Sequence, residues 1–204
     1  FFIKRFSLSR LVEANNEERK MSVIDGLKTG PIAENTIDAN EQHYEVPADY
    51  FKAVLGPRLK YSCCWFDDES VSLGDAEIKM MESYLERAKI EDGQTILDLG
   101  CGWGSLSLFL AERFPNSNIY SVSNSNDQID HIKNIANEKK LENLYPEVQD
   151  VNSLNLNQQF DRVVSIEMFE HMRNYEALLQ KVKHLLKPDG LLFIHIFCHK
   201  ETAY

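Results

Sequence analysis

Between residues 75 and 197 the apolar positions switch repeatedly between two periods. Over 75–88 they recur three and four apart, with Ile78, Met81, Tyr84 and Leu85 sharing one face, which predicts a helix. Short apolar runs then alternate with helical patterns: strand 95–99, helix 105–114, strand 118–123, helix 127–140, strand 145–149, strand 161–166 and helix 175–186. Lys187-Pro-Asp-Gly190 reads as a helix stop and turn before a fifth strand over 191–197. Strands alternating with helices predict an α/β fold, a doubly wound and mostly parallel sheet with helices on both faces.

The first 74 residues follow a different pattern and are expected to form a helical lid or extension, leaving 75–204 as a ligand-binding domain. Apolar residues at helical spacing over 4–29 (Phe6, Leu8, Leu11, Val12, Met21, Val23, Ile24, Leu27) predict one or two amphipathic helices. A breaker at 28–33, a polar loop over 38–49 and a short helix near 50–55 follow. Larger sheets of this kind finish with a reversed hairpin, and no such hairpin is present before Tyr204. The fifth strand would then be an exposed apolar edge, so the chain is expected to be a fragment whose C-terminal part is absent.

With 204 residues and 43% hydrophobic content, one full core with an appendage is affordable. The net charge of −10 speaks against a nucleic-acid groove, which needs a basic footprint, and suits a cationic or amine-bearing small molecule. No apolar run reaches membrane-spanning length. The four cysteines, Cys63, Cys64, Cys101 and Cys198, form no CxxC pair and no disulfide framework, which points to a reducing, cytoplasmic compartment. Oligomeric state leaves no mark on the sequence.

The densest chemical signal is Thr95-Ile-Leu-Asp-Leu-Gly-Cys-Gly-Trp-Gly-Ser105, a buried strand ending in an acid and a glycine turn that opens a helix. Gly100, Gly102 and Gly104 allow a sharp turn and close approach of a ligand to backbone, and the helix amino end faces the same spot. A dinucleotide pyrophosphate would be repelled by Asp98, and its fingerprint places the acid about 20 residues later. Asp98 instead suits a cofactor carrying positive charge, such as the ammonium of S-adenosylmethionine. A tight loop with no ligand remains the plain alternative.

Further positions extend this reading. After the second strand, where a carboxylate commonly grips ribose hydroxyls, the chain has Ser123-Asn124-Ser125 and Gln128, whose amides offer donor and acceptor to a diol. Asn124 could equally cap the next helix. After the third strand, Asp150 and Val151 offer an acceptor for an adenine amino group and an aliphatic contact, although Asp150 also suits a turn. The fourth strand ends in Ser165-Ile-Glu-Met-Phe-Glu-His-Met172, where Glu167, Glu170 and His171 can face one pocket on a helical turn. Such a group can accept a proton from an amine; acids in a first turn can also simply complement a helix dipole. Metal ligation by these residues with His195 and His199 is a weaker rival, and no metal is expected. Cys63 and Cys64 read as packing.

Taken together these motifs resemble the class I S-adenosylmethionine-dependent methyltransferases, and more narrowly the coclaurine N-methyltransferase and cyclopropane-fatty-acid synthase branch. The resemblance runs from about Asn40 to Tyr204, through Asn40-Glu-Gln-His-Tyr-Glu-Val-Pro, Leu55-Gly-Pro-Arg-Leu-Lys-Tyr-Ser-Cys, the glycine turn, Ser123-Asn-Ser, Ile166-Glu-Met-Phe-Glu-His-Met, and His195-Ile-Phe-Cys-His-Lys-Glu-Thr-Ala-Tyr. It implies a Rossmann-like fold and S-adenosylmethionine held by Tyr61, Ser62, Asp98, Gly100, Gly102, Asn124, Ser125, Gln128, Asp150, Val151 and Ile166. It also implies Glu167, Glu170 and His171 around an acceptor nitrogen, and methylation of a small-molecule amine. In the lipid-modifying members the matching Cys63, Glu170, His171 and His195 would surround bicarbonate, so methyl or methylene transfer to an unsaturated lipid is the alternative. A non-catalytic S-adenosylmethionine-binding protein is the reading outside enzymes.

Overall fold

The structure, a computed structural model, describes residues 8, 16–34 and 48–198. Five strands, β1 (Thr95–Leu99), β2 (Asn118–Ser123), β3 (Leu144–Val148), β4 (Phe160–Ile166) and β5 (Leu186–His195), form one sheet in the order β3-β2-β1-β4-β5. Every pairing is parallel. The helices are α1 (Glu17–Gly26), α2 (Ala48–Val54), α3 (Leu73–Ala88), α4 (Ser105–Arg113), α5 (Asn126–Lys139) and α6 (Tyr175–Leu185). This is the Rossmann-like architecture that the alternating pattern predicts.

The period of two along each strand sorts the core into two layers. Ile96, Ile119 and Val164 face a cluster with Met81 and Tyr84 of α3, Leu106 and Leu110 of α4, and Ile129 and Ile132 of α5. Leu97, Leu99, Val122 and Val163 face the opposite cluster, with Leu178, Val182 and Leu185 of α6. Fully burying each such aliphatic group contributes about 1.5–3 kcal/mol, so the sheet is fixed in register from both faces.

Three features depart from the sequence-based expectations. Lys187-Pro-Asp-Gly190 is not a turn ahead of β5 but lies within it: Leu186 pairs with Phe160 and Leu191 with Arg162, and the intervening residues form an irregularity in the ladder. Lys187 Nζ bonds Asp161 Oδ2 at 2.7 Å, which ties this excursion to β4. Turn-forming residues are thus absorbed as a bulge because the flanking residues pair with β4. β5 ends at His195 rather than at residue 197.

On α1, the apolar Met21 and Val23 are exposed instead of packed. The part of 4–29 that the structure describes is therefore held to the fold through the segment after the helix. There Asn174 caps α6 by accepting from Ala177 N–H at 3.0 Å, and its amide donates to the carbonyl of Gly30 at 2.8 Å. Arg173 N–H donates to Ile32 O at 2.7 Å, and Asn152 bonds both the N–H and the carbonyl of Ala33. The expected breaker is a docked segment, with Ile32 and Ala33 buried. Among the described residues no helix is long and apolar enough to cross a membrane.

The turn from β1 into α4 depends on Gly104, which has φ 80° and lies so close to α5 that a Cβ would sit 2.5 Å from Ile132 Cγ1. Gly104→Ala should therefore lose about 2–4 kcal/mol, combining left-handed strain with overpacking. Urea denaturation measures it; an unchanged midpoint would show that the turn relaxes freely.

Candidate functional site

Parallel strands deliver their carboxyl ends to one edge of the sheet, where β1 and β4, adjacent in the middle, open into the two turns richest in chemistry. Asp98 lies on β1, its residue only 2% exposed, with Oδ2 accepting a 2.6 Å bond from Ser107 Oγ on α4. Burial pushes its carboxyl up to about 6, against the pull of the Ser107 bond and the nearby Lys60 charge. The chain then turns at Gly100, with φ 83° and a Cβ position 2.7 Å from Met168 Cγ. A side chain at Gly100 would collide with the β4 turn.

A crevice wraps both sides of this turn. One lobe is lined by Gly100, Gly102, Asn124, Gln128, Val151, Glu167 and His171. The other is lined by Lys60, Tyr61, Ser62, Asp98, Trp103 and Ile166, again with Gly100, Gly102 and Gln128. A wider outer pocket shares Lys60, Tyr61, Ser62 and Glu167 with the second lobe and adds Cys63, Glu170, His171 and Phe197. Tyr61, Ser62, Asp98, Gly100, Gly102, Asn124, Gln128, Val151 and Ile166 are therefore brought together around one crevice, and Glu167, Glu170 and His171 around its mouth.

Ser125 and Asp150 are placed otherwise. Ser125, not Asn124, is the N-cap of α5, its hydroxyl accepting from Gln128 N–H at 3.4 Å, and it lines neither lobe. Asp150 Oδ1 accepts from Asn152 N–H at 2.7 Å, the turn geometry of an Asx residue, and only its neighbours Gln149 and Val151 line the crevice. Gln128 is buried, its Oε1 accepting from Ser123 Oγ at 2.7 Å, which leaves its amide nitrogen as the group offered to a ligand.

The acidic cluster sits on a strained turn, not on an α-helix. Glu167 follows β4 with φ 51°, a left-handed conformation that costs a residue with a Cβ about 1–3 kcal/mol. It is held there by its N–H donating to His195 O at 2.7 Å and by Cys63 N–H donating to Glu167 Oε1 at 3.1 Å. A 3-10 turn, Phe169–His171, carries the other two groups. Glu170 Oε1 accepts from Phe197 N–H at 3.0 Å, whereas Oε2 is buried with no partner among the described residues.

Two groups that the motifs do not announce complete the site. Lys60 is only 5% exposed, and its Nζ donates to the Ser62 hydroxyl and, at 3.1 Å, to the Tyr84 hydroxyl. The Tyr84 hydroxyl lies 2.8 Å from His195 Nδ1, and Cys63 Sγ lies 3.7 Å from His195 Nε2. An ammonium only donates, so the Tyr84 proton is directed at Nδ1 and the His195 proton stays on Nε2, facing Cys63. Burial holds the Lys60 ammonium and the His195 imidazolium below their ordinary values and the Tyr84 phenol well above its own. Cys63, Glu167 and His195 bring their possible ligand atoms within 4.8 Å of one another, but a proton on Nε2 suits that imidazole to donate a hydrogen bond rather than ligate. His199 and the motif over 40–47 lie outside the described residues.

Residues 33–204 match the mycolic acid cyclopropane synthetase family. The chain belongs to that family. It is 39% identical over 197 residues to (S)-coclaurine N-methyltransferase of Thalictrum flavum subsp. glaucum, covering 97% of this chain and 52% of the relative. It is 32% identical over 164 residues to cyclopropane-fatty-acyl-phospholipid synthase of Escherichia coli (strain K12), covering 79% of this chain and 41% of that one. A crystal structure of coclaurine N-methyltransferase bound to N-methylheliamine and S-adenosylhomocysteine superposes with a TM-score of 0.90 at 37% identity, covering 100% of this chain and 60% of that one. The chain spans about half the length of the curated relatives it matches. These are S-adenosylmethionine-dependent methyltransferases, and S-adenosylmethionine is the cofactor of the family.

The residues fit such a cofactor: a buried carboxylate with a raised pKa needs a cation, and a ligand ammonium beside Asp98 would supply it. Its carboxyl is protonated below about 6 in the free protein and should be ionised when a cation is bound. Binding therefore releases a proton in that range, so affinity for S-adenosylhomocysteine should fall as pH drops below 6. Calorimetry between pH 5 and pH 8 should show this loss in the native protein and a flat, weaker profile in Asp98→Asn; a flat native profile would mean Asp98 does not face the ligand charge.

Proposed function

We propose that the chain forms the cofactor-binding part of an enzyme that methylates the nitrogen of a small-molecule amine. When bound, S-adenosylmethionine supplies a methyl group activated on a sulfonium. Tyr61, Ser62, Asp98, Gly100, Gly102, Asn124, Gln128, Val151 and Ile166 would hold it in the crevice, with Ser125 and Asp150 supporting the loops that carry them.

The observation that carries this reading is the composition of the outer pocket, where Glu167, Glu170 and His171 line one wall next to the glycine turn. An amine reaches neutral pH mostly protonated and has no lone pair to offer until it loses that proton. Glu167 would hold the cationic nitrogen near the crevice mouth. His171 would accept the proton, with Glu170 Oε2, which has no partner among the described residues, stabilising the imidazolium so formed. Kinship with coclaurine N-methyltransferase at 39% identity supports the choice of nitrogen.

One observation favours a second reading. Cys63 lines the same pocket as Glu170 and His171, and its Sγ lies 3.7 Å from His195 Nε2; these four are the group that the lipid-modifying branch would place around bicarbonate. That reading predicts turnover on phospholipid vesicles that depends on added bicarbonate. A panel of amines and phospholipids scored for labelled-methyl acceptance separates the two, and binding without turnover on either would favour a non-catalytic role.

Glu170→Ala and His171→Ala should each lower turnover by about 10² to 10⁴, the usual worth of general-base help, while leaving S-adenosylhomocysteine affinity within about threefold. Parallel losses of turnover and affinity would make these residues structural.

A further inference from the structure

Lys60 is a buried ammonium with no carboxylate in contact among the described residues, although Glu167 and Glu77 act on it from a distance. No ion pair involves it among the described residues, and its two hydrogen-bond partners, Ser62 and Tyr84, are neutral hydroxyls. A third ammonium proton finds no acceptor there. Taking an ammonium out of water costs several kcal/mol unless an opposite charge pairs with it, and the carboxylates that reach Lys60 do so without contact, which leaves its head group open to an anionic ligand.

The fold holds the ammonium in place. Leu59 adopts φ 51°, and the buried Glu77 carboxylate of α3 accepts from Arg58 N–H and Lys60 N–H, each at 3.0 Å. Glu77 is thereby spent on backbone. Lys60 lines the same lobe as Asp98, on the opposite side of the charge balance: a carboxylate and an ammonium, close enough to influence each other but not in contact as an ion pair. Such a pair complements a zwitterionic amino acid, whose ammonium would go to Asp98 and whose carboxylate to Lys60.

We propose that Lys60 is a specificity-determining residue that recognises the carboxylate of the cofactor's amino-acid end. This rests on the reading of the crevice as an S-adenosylmethionine site. The same ammonium also borders the outer pocket, where bicarbonate would be a second source of carboxylate chemistry. Placement in one lobe with Asp98 favours the cofactor.

The test compares two ligands that differ only in that group: S-adenosylhomocysteine and its decarboxylated analogue, S-adenosyl-3-thiopropylamine. Titration calorimetry of the native protein should show S-adenosylhomocysteine binding about ten- to a hundredfold tighter, as expected for a charge-assisted hydrogen bond in a dry site. Lys60→Met and Lys60→Gln should remove most of that preference while leaving the analogue's affinity nearly unchanged; Lys60→Arg should keep part of it. Bicarbonate at millimolar concentration should leave the preference intact. A native protein that binds both ligands alike overturns the proposal without any variant. So does an equal loss for both ligands in Lys60→Met, which would make Lys60 a structural prop, and so does a preference erased by bicarbonate, which would place its anion in the outer pocket. A native protein that binds neither ligand would instead overturn the cofactor site itself.

Discussion

A carboxylate buried near the end of the central strand is the constraint around which this molecule is arranged. Asp98 has a β2 residue on one side and a β4 residue on the other, Ser121 and Val164, and its carboxylate accepts a hydrogen bond from the Ser107 hydroxyl. Such a group resists ionisation, and it becomes useful only when a cation arrives. The glycine turn after it gives that cation access, and the neighbouring β4 turn closes the other side through Met168.

The second half of the chemistry depends on strain. Glu167 is held in a left-handed conformation by a bond to β5 and another to the loop carrying Cys63, so three separate segments fix one carboxylate. That arrangement places the acids at the mouth of the crevice rather than along a helix face. It also explains why the loop of residues 56–63 must be ordered before the site exists: Glu77 anchors that loop through backbone bonds, and the loop in turn delivers Lys60, Tyr61, Ser62 and Cys63.

The fold was legible in the sequence because each strand and helix carries its own period, and the strands end where chemistry begins. The glycine turn and the Glu-x-x-Glu-His run were legible for the same reason: their meaning is local. Lys187–Gly190 misled only as to where β5 begins: its turn chemistry is expressed as an unpaired excursion between Leu186 and Leu191, which both pair with β4. Asn124 and Ser125 are both good caps, and only the three-dimensional start of α5 chooses Ser125. Lys60 lies inside the Leu55–Cys63 motif, but its burial was not legible, since a lysine is ordinarily exposed; that burial follows from Glu77 and Tyr84, distant by 17 and 24 residues. The apolar spacing of α1 is real, yet Met21 and Val23 remain about half exposed, at 52% and 50%.

Burial keeps Asp98 short of full ionisation, and a bound cation should complete that ionisation. Carbon-13 NMR of the aspartate carboxyl carbons, with Asp98 assigned by substitution, reads this directly. The Asp98 midpoint should lie near 6 in the free protein and fall clearly when S-adenosylhomocysteine saturates the crevice. An Asp98 signal that titrates at the same pH with and without the ligand would contradict it.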